Sequence, residues 1–443
     1  MLDWSLLSGP APLALSVMAI AAGIWLVVQV YRAAHSPRVI AKVSVVCTAT
    51  AVTVPMIAVY LVRDVWAIFP DRLPVSVYIW LGVIVLAVSL AVAAMMLPVS
   101  PGSSRRHALA RSATTPVAAV LVVAASLNQI NLVFAAYPTV RDAFGITRVD
   151  DIMLPDRHQK SLPVSAHGPL DKTWASPAGL SRRGKITSAA IPATVSGFAA
   201  RPARIYLPPA YFTDVPPLLP VLVLIAGQPG GPQDWISAGK LPQIMDAFAA
   251  AHDGLAPVVV VPDATGSQLG DPLCLDSRRG NSATYLAIDV PAWIKARLTV
   301  DVRPAAWAVA GASYGGTCAL QLTTNHPAVY PTFIDIAGAV EPSLGDRSRT
   351  VLEAFGGDER RFAQVNPADI LRRQRFSGCA GAIVIGSSDR DNRSDVLKVL
   401  ADTTAAGMDS HLTEVPGAHD WRAFSAGLSV ELPWLARRIG LTG

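Results

Sequence analysis

The chain has 443 residues, of which 51% are hydrophobic and only 16% are charged, whereas soluble globular proteins carry about 25% charged residues. The shortage of charge lies mostly before residue 140, which argues against a uniformly soluble protein. The formal net charge is +5, but no basic run is interleaved with aromatic residues, and this argues against a nucleic-acid partner. The four cysteines are too few for a disulfide-rich scaffold and have no C-x-x-C spacing, which argues against a zinc or a thioredoxin-like site.

Four apolar stretches precede residue 140, and each is close to the ~20 residues that a membrane-spanning helix needs. The one charged residue inside them is Lys42, which lies near an end where its side chain can reach the interface. The first stretch lacks an A-x-A cleavage site and three more follow it, so we do not expect a cleaved signal peptide. The sequence predicts four transmembrane helices, at residues 11–31, 39–62, 75–97 and 116–136.

Basic residues in the loops predict the orientation of these helices. The first loop carries Arg32 and Arg38. The third carries Arg105, Arg106 and Arg111, whereas the second balances two arginines with two aspartates. Because Lys and Arg mark the cytoplasmic side, we expect both chain ends, and everything after residue 136, on the outer side of the cell membrane. None of the four segments has an acidic residue at its centre, which favours an anchor over a transporter.

The composition changes twice after the fourth segment. Residues 137–180 are mixed and Pro-rich without a sustained hydrophobic period, which is typical of a tether. From residue 221 onward, continuous apolar runs alternate with helical patterns, as expected for a mostly parallel sheet covered by helices on both faces. We predict three parts: a four-helix transmembrane anchor (1–136), an extracytoplasmic linker (137–183) and an α/β catalytic domain (184–443).

Eight runs in the last part are expected to be strands and two are expected to be helices. The helices are residues 241–251 and 285–298, the second with Pro291 as a kink or a restart. The strands are residues 186–191, 203–207, 221–226, 257–261, 307–310, 332–337, 382–386 and 411–415.

The run Gly311-Ala312-Ser313-Tyr314-Gly315 lies between a predicted strand and a small-residue segment of helical character. A G-x-S-x-G turn in this context is a nucleophile elbow, which holds a serine hydroxyl clear of the carboxyl end of a sheet. The two glycines are expected to let the helix pack close behind the strand, and the amide of Tyr314 would face a developing oxyanion. Because bare G-x-S-x-G runs are common, the alternative at this point is a glycine-rich turn with a chance serine.

Three histidines follow Ser313, and in α/β hydrolases the chain order is serine, acid, histidine. His326 lies where a helix is expected to end, and His411 lies within a strand, so that the pleat determines its direction. His419 lies in a loop just past the carboxyl end of the last strand, where a general base can reach the serine. We therefore expect His419 to be the base.

The acid is expected in the loop after the strand at 382–386. Asp389 is the first choice and Asp391 is the second. Either one could instead cap the helix that starts near Asn392, and the residues alone do not separate the two. The acid would hold the imidazole tautomer and stabilise the imidazolium.

The loop Gly227-Gln228-Pro229-Gly230-Gly231 follows the first buried strand and is expected opposite the elbow. The backbone amide of Gln228 is the candidate for a second oxyanion donor, beside the amide of Tyr314. The alternative is a plain glycine-rich turn. No G-x-G-x-x-G run precedes a helix and no P-loop is present, so we expect no nucleotide, no metal and no other cofactor.

Several short motifs after residue 184 carry a family resemblance: Leu224-Ile-Ala-Gly-Gln228 before Asp234-Trp235, Val260-Val-Pro-Asp263, Thr284-Tyr285 through Pro291-Ala-Trp293, Ser313-Tyr-Gly-Gly316, Asn325-His-Pro327 and Gly417-Ala-His-Asp-Trp421. With them the chain resembles the putative-esterase family of α/β hydrolases, which includes the antigen 85 mycolyltransferases, the esterase D type hydrolases and the enterochelin esterases. The resemblance implies an α/β-hydrolase fold with a mostly parallel central sheet. It also implies Ser313 as nucleophile, His419 as base, and the amides of Gln228 and Tyr314 as the oxyanion hole. With four spans in front, the architecture is similar to that of the membrane-anchored esterases of actinobacteria.

The same resemblance bears on the cysteines, because the antigen 85 proteins carry a disulfide near their site. Cys274 falls in a similar loop, but no second cysteine follows it closely. The bond implied here therefore differs, with Cys318 or Cys379 as the partner. Cys47 lies inside an apolar segment and is expected to be inert packing.

The function that these features favour is that of a membrane-anchored extracytoplasmic serine esterase or acyltransferase. It would use a Ser-His-Asp triad and an acyl-enzyme, and it would act on an ester of a lipid or a cell-envelope glycolipid. The alternatives are a membrane receptor or scaffold with an inactive hydrolase fold and, with less support, a transporter with an extracellular domain.

Overall fold

The structure is a computed structural model that describes residues 2–34, 36–69, 72–98, 105–146, 152–158, 160–162 and 168–443. The chain divides into two compact units, Met1–Thr147 and Arg148–Gly443.

In its described residues, the first unit consists of four long α-helices, a π-helical turn and a short α-helix. All four long helices have the length and the apolar composition needed to cross a membrane, and they correspond one to one to the four predicted segments. The second of them continues into a π-helical turn, Leu61–Val65. The fourth begins well before the predicted segment, with Pro116 in its interior; proline is tolerated in membrane helices because neighbouring groups satisfy the freed carbonyl. The helices are α1 (Pro10–Ala33), α2 (Pro37–Tyr60), α3 (Val75–Met96), α4 (Arg105–Phe134) and α5 (Val140–Ala143).

The beginning of the chain is bound to the segment that follows α4. The amide of Leu6 donates to the carbonyl of Pro138 at 2.9 Å, and the amide of Arg141 donates to the carbonyl of Leu2 at 2.8 Å. The guanidinium of Arg141 also pairs with Asp3 at 3.0 Å. The amino end and the exit of α4 therefore lie at the same end of this unit.

The second unit contains an eight-stranded sheet in the order β1-β2-β4-β3-β7-β8-β9-β10. The pairs β1/β2 and β2/β4 are antiparallel, and every other neighbouring pair is parallel. The prediction of an α/β fold with a mostly parallel sheet is thereby confirmed. The strands are β1 (Lys185–Ala189), β2 (Ala203–Leu207), β3 (Val221–Ile225), β4 (Val258–Val261), β7 (Trp307–Ala312), β8 (Thr332–Ile336), β9 (Ala380–Gly386) and β10 (Asp409–Val415), with a small separate hairpin of β5 (Asp276–Ser277) and β6 (Gly280–Asn281).

Every residue of β3, β4, β7, β8 and β9 is buried, because helices cover both faces of the sheet. The expected helix at 285–298 is divided into a π-helical turn, Tyr285–Asp289, and a helix in whose first turn Pro291 lies. Pro291 therefore marks a restart. The helices are α6 (Pro232–Ser237), α7 (Leu241–Ala251), α8 (Ser282–Thr284), α9 (Val290–Arg297), α10 (Tyr314–Asn325), α11 (Arg347–Phe355), α12 (Glu359–Val365), α13 (Pro367–Arg373), α14 (Arg393–Ala405) and α15 (Trp421–Arg438).

A disulfide joins the loop after β4 to helix α10. It links Cys274 and Cys318, whose Cα atoms are 5.5 Å apart, so of the two partners left open for Cys274 the structure has Cys318. Cys47 and Cys379 are buried free thiols. The loop is held to the same helix by a second contact, since the hydroxyl of Tyr314 accepts a hydrogen bond from the amide of Cys274 at 2.8 Å.

Candidate active site

Ser313 occupies a tight turn between β7 and α10. Its φ and ψ are 56° and −119°, a region that residues with a side chain rarely adopt. A Cβ at Gly311 would lie 2.2 Å from the carbonyl oxygen of Gly315, and a Cβ at Gly315 would lie 2.3 Å from that of Ile225. Strand, turn and helix therefore pack with no room for a side chain at either glycine, which is the geometry of a nucleophile elbow.

His419 connects Ser313 to Asp389. Its Nε2 lies 2.9 Å from Oγ of Ser313, and its Nδ1 lies 2.9 Å from Oδ2 of Asp389. The ring of His419 also contacts the ring of Phe424 edge-on, with centroids 5.1 Å apart. The three polar groups thus form one unbroken chain of hydrogen bonds, in the arrangement of a serine-hydrolase triad.

The end of β9 and the start of α15 hold the loop of His419. A Cβ at Gly386 would lie 2.6 Å from the carbonyl oxygens of Gly417 and Ala418, so the loop crosses the strand end at close range. One residue after the histidine, Asp420 caps α15 by accepting hydrogen bonds from the amides at positions 422 and 423. The histidine is therefore fixed from both sides.

The two acid candidates have different environments. The side chain of Asp389 is 2% exposed, whereas Asp391 is on the surface. Burial by itself raises the pKa of Asp389, but hydrogen bonds from His419 and Asn392 and the attraction of His419 outweigh it and hold this pKa below its usual value. A carboxylate in this state is charged at neutral pH and can accept from the imidazole.

Asn392, expected only as the start of a helix, contacts both Asp389 and His419. Its Nδ2 donates to Oδ1 of Asp389 at 2.9 Å and lies 3.0 Å from Nδ1 of His419. Its backbone amide also approaches Oδ1 of Asp389, at 3.3 Å. Asn392 thus holds the carboxylate opposite the imidazole. The available signal was an asparagine at the N-cap position of α14, three residues after the acid.

The other two histidines lie elsewhere. His411, in β10, directs its Nε2 to the carboxylate of Glu431 at 2.9 Å. His326 forms the C-cap of α10, and burial lowers its pKa. Neither contacts Ser313 among the hydrogen bonds of the described residues.

The glycine-rich loop 227–231 lies against the elbow. A Cβ at Gly227 would lie 3.4 Å from the carbonyl oxygen of Ala312 and 3.6 Å from Cβ of Ser313. Gln228 is buried, and its side chain donates to the carbonyl of Leu269 at 3.4 Å. On the other side, Tyr314 is the first residue of α10, and first-turn amides have no acceptor within their own helix. The two candidate oxyanion donors therefore belong to segments that flank the serine.

Behind the elbow lies a buried carboxylate that does not belong to the predicted site. Asp335, near the end of β8, accepts a hydrogen bond from the amide of Gly338 at 2.7 Å. A Cβ at Gly316, in the first turn of α10, would lie 2.3 Å from the same oxygen. Burial, and then the charge of Asp395, raise the pKa of Asp335 to about 7. A charged residue type inside an apolar strand was the signal in the sequence.

Throughout the described ranges, no group of three or more His, Cys, Asp or Glu side chains has the spacing of a metal site.

Residues 199–435 match the protein-family model described as "Putative esterase". The chain belongs to this family. The matched residues include the elbow, the acid loop and the histidine loop. A relative in Corynebacterium glutamicum, an uncharacterized protein, is 34% identical over 395 residues, which are 86% of this chain and 86% of the relative.

Three solved structures illustrate what this esterase is similar to. A ferulic acid esterase is 18% identical, with 58% of this chain and 98% of that chain covered and a TM-score of 0.49. An S-formylglutathione hydrolase from Agrobacterium tumefaciens is 20% identical over 59% of this chain and 97% of that chain, with a TM-score of 0.47. MPT51 of Mycobacterium tuberculosis is 16% identical over 60% of this chain and 100% of that chain, with a TM-score of 0.43.

Family membership makes the protein an ester-hydrolysing enzyme with an α/β-hydrolase fold. The four long apolar helices associate it with a membrane. The expected family, fold and enzyme class are therefore confirmed.

The raised pKa of Asp335 predicts a pH effect on stability. In the folded protein this acid keeps its proton at pH values where the unfolded chain has lost it, so its contribution to the free energy of unfolding falls as pH rises from about 4 to about 7. Asp335→Asn removes this contribution. In thermal unfolding, the stability of the variant minus that of wild type should therefore be greater at about pH 8 than at about pH 5. A difference between variant and wild type that is the same at both pH values would contradict the assignment.

Proposed function

We propose that the protein is a membrane-anchored serine esterase or acyltransferase in which Ser313 is the nucleophile, His419 the general base and Asp389 the acid. The observation that carries the proposal is the unbroken hydrogen-bond chain from Oγ of Ser313 through the imidazole to the carboxylate, with both contacts at 2.9 Å. A receptor or scaffold would not need a strained serine at the end of such a chain.

The first half of the reaction follows from these contacts. Nε2 of His419 accepts the proton of Ser313 while Oγ attacks the carbonyl carbon of the ester. The carbonyl oxygen becomes an oxyanion, for which the amides of Gln228 and Tyr314 are the donors. When the tetrahedral intermediate collapses, the imidazolium gives its proton to the departing alcohol, and the acyl group remains on Ser313.

The second half repeats these steps with a new hydroxyl compound. Water or an acceptor alcohol gives its proton to His419 and attacks the acyl carbon, and Ser313 leaves as the protonated alcohol. Asp389 remains ionised throughout and stabilises the imidazolium, and Asn392 keeps its carboxylate in place. A hydrolase and a transferase would use the same steps and differ only in the second nucleophile, which is water in a hydrolase and an acceptor alcohol in a transferase.

The catalytic unit belongs, in this proposal, on the extracytoplasmic side of the membrane. Three observations support that side. Basic residues are concentrated around the connections from α1 to α2 and from α3 to α4, as is typical of the cytoplasmic side, and the amino end and the exit of α4 lie at the same end of the helical unit. The disulfide between Cys274 and Cys318 also favours an oxidising compartment.

The substrate proposed is an ester of a lipid or of a cell-envelope glycolipid. A membrane anchor raises the effective concentration of substrates that lie in or near the same membrane. A soluble ester would gain nothing from such a tether.

Ser313→Ala should lower kcat for a short-chain p-nitrophenyl ester by at least about a thousandfold, since the nucleophile is removed while the fold is kept. The rate of nitrophenolate release by the purified full-length protein in detergent measures this. Ser388→Ala, which alters an exposed serine of the acid loop, is the matched control and should leave kcat unchanged. Retention of activity in Ser313→Ala would rule out the proposed nucleophile.

Asp389→Asn and Asp391→Asn separate the two acid candidates. The first change should lower kcat by about 10³–10⁴-fold, because an amide in place of the carboxylate no longer holds the reactive tautomer of His419 or stabilises its charged form. The second should change kcat by less than about twofold, since Asp391 is exposed. Steady-state kinetics with the same ester decide between them, and the opposite pattern would move the role to Asp391.

Reporter fusions test the orientation. Alkaline phosphatase fused after Gly443 should be active and a green fluorescent protein fused there should be dark, because phosphatase folds in the oxidising compartment outside the cytoplasm. Fusions after Ser36, in the first loop, are the controls and should behave in the opposite way. A bright fluorescent fusion at the carboxyl end would place the catalytic unit in the cytoplasm.

A further inference from the structure

Arg201, in the segment that leads into β2, joins two parts of the molecule that flank the site. Its Nε and Nη2 donate to the two carboxylate oxygens of Asp263 at 2.9 and 2.7 Å, and its backbone amide donates to the same carboxylate at 2.7 Å. Its Nη2 also donates to the carbonyl of Gly230 at 2.8 Å. One guanidinium thus connects the end of β4 to the glycine-rich loop beside Ser313.

The glycines of that loop leave the space that the guanidinium fills. A Cβ at Gly231 would lie 2.8 Å from Nη1 of Arg201. The loop is tied at two more points: the amide of Gly231 donates to the carboxylate of Asp234 at 2.8 Å, and the amide of Gly230 donates to the carbonyl of Gln268 at 3.0 Å. Two motifs that carried the family resemblance, Pro-Asp263 and Asp234-Trp235, therefore both brace one loop.

The pairing with Asp263 restricts Arg201 to this position. Asp263 is 1% exposed. Its burial raises its pKa, but the hydrogen bonds and the charge of Arg201 outweigh burial and hold this pKa below its usual value. Two-pronged pairs between arginine and a carboxylate are short, charge-assisted and directional. The guanidinium is therefore held in the orientation that reaches the carbonyl of Gly230.

We propose that Arg201 is a positioning residue for catalysis, which aligns the loop that supplies the Gln228 amide to the oxyanion. Gly230 follows Gln228 by two residues, so the bond to the carbonyl of Gly230 limits how far the Gln228 peptide can rotate. Oxyanion donors lower the barrier only when they are aligned before the charge develops. This inference rests on the proposed function.

Arg201→Lys is the first test, because lysine keeps a positive charge beside Asp263 but lacks the planar fork that also reaches Gly230. Its kcat for a p-nitrophenyl ester should fall about tenfold, with KM within about twofold of wild type. Arg201→Ala should lose about 10- to 100-fold in kcat, less than the 10²–10³-fold loss of a whole oxyanion donor. Millimolar guanidinium ion should restore part of the activity of the alanine variant.

Arg303→Ala is the matched control. Arg303 also makes a two-pronged pair with a buried carboxylate before β7, since its Nε and Nη2 donate to Oδ1 and Oδ2 of Asp301 at 3.1 and 2.6 Å. Its loss removes an arginine–carboxylate pair that does not reach the glycine-rich loop, so kcat should stay within about twofold of wild type and guanidinium should have no effect. An unaltered kcat in Arg201→Lys, or a rise in KM alone, would overturn the inference.

Failure of this inference about Arg201 can be distinguished from failure of the proposed function. If Ser313→Ala is inactive while Arg201→Lys turns over like wild type, the proposed function stands and this inference fails. If Ser313→Ala remains active, the proposed function itself fails. If Arg201→Ala does not fold, the lysine variant still decides.

Discussion

The close approach of the start of α10 to the backbones of β7 and β3 leaves no room for a β-carbon at Gly311 or Gly315. It forces Ser313 into a conformation with φ of 56°, which costs on the order of 1–3 kcal/mol. The strained conformation persists because packing fixes the turn from three sides. Gly315 lies against the end of β3, Gly316 lies against the carboxylate of Asp335 in β8, and the disulfide ties the middle of α10 to the loop after β4. The hydroxyl is held at the carboxyl edge of the sheet as a consequence.

Three loops then have to meet at that edge. The strand order β3-β7-β8-β9-β10 puts the glycine-rich loop next to the elbow but the histidine loop three strands away. His419 nevertheless reaches the serine because Gly386, at the end of β9, has no side chain. Residues 417 and 418 can therefore cross the end of this strand closely and bring His419 back toward Ser313. Asp389, three residues after β9, is buried beside this crossing, and its carboxylate is ionised. The close approach of backbone segments at glycines thus positions both Ser313 and His419.

Much of the fold, and the chain order of the candidate site, could be predicted from the sequence. Continuous apolar runs predicted the strands, since a parallel strand buried on both faces needs such residues. A histidine past a strand end could be preferred to one within a strand, because only the former can turn toward the sheet edge. The sequence could not decide between Asp389 and Asp391, because both lie in one loop and only the folded backbone determines which side chain points toward His419. Arg201 escaped notice because its carboxylate partner is 62 residues away and meets it only when β2 pairs with β4.

Ser313 carries the acyl group in the proposed reaction, and a covalent trap for activated serines can show this. A fluorophosphonate forms a stable adduct with an activated serine, and mass spectrometry of the digested full-length protein locates it. We expect one adduct, on the peptide that contains Ser313, and little labelling at the same reagent concentration in His419→Ala, which lacks the base. An adduct on another serine would contradict the role of Ser313. So would protein that remains unlabelled after treatment with the reagent and still hydrolyses the ester.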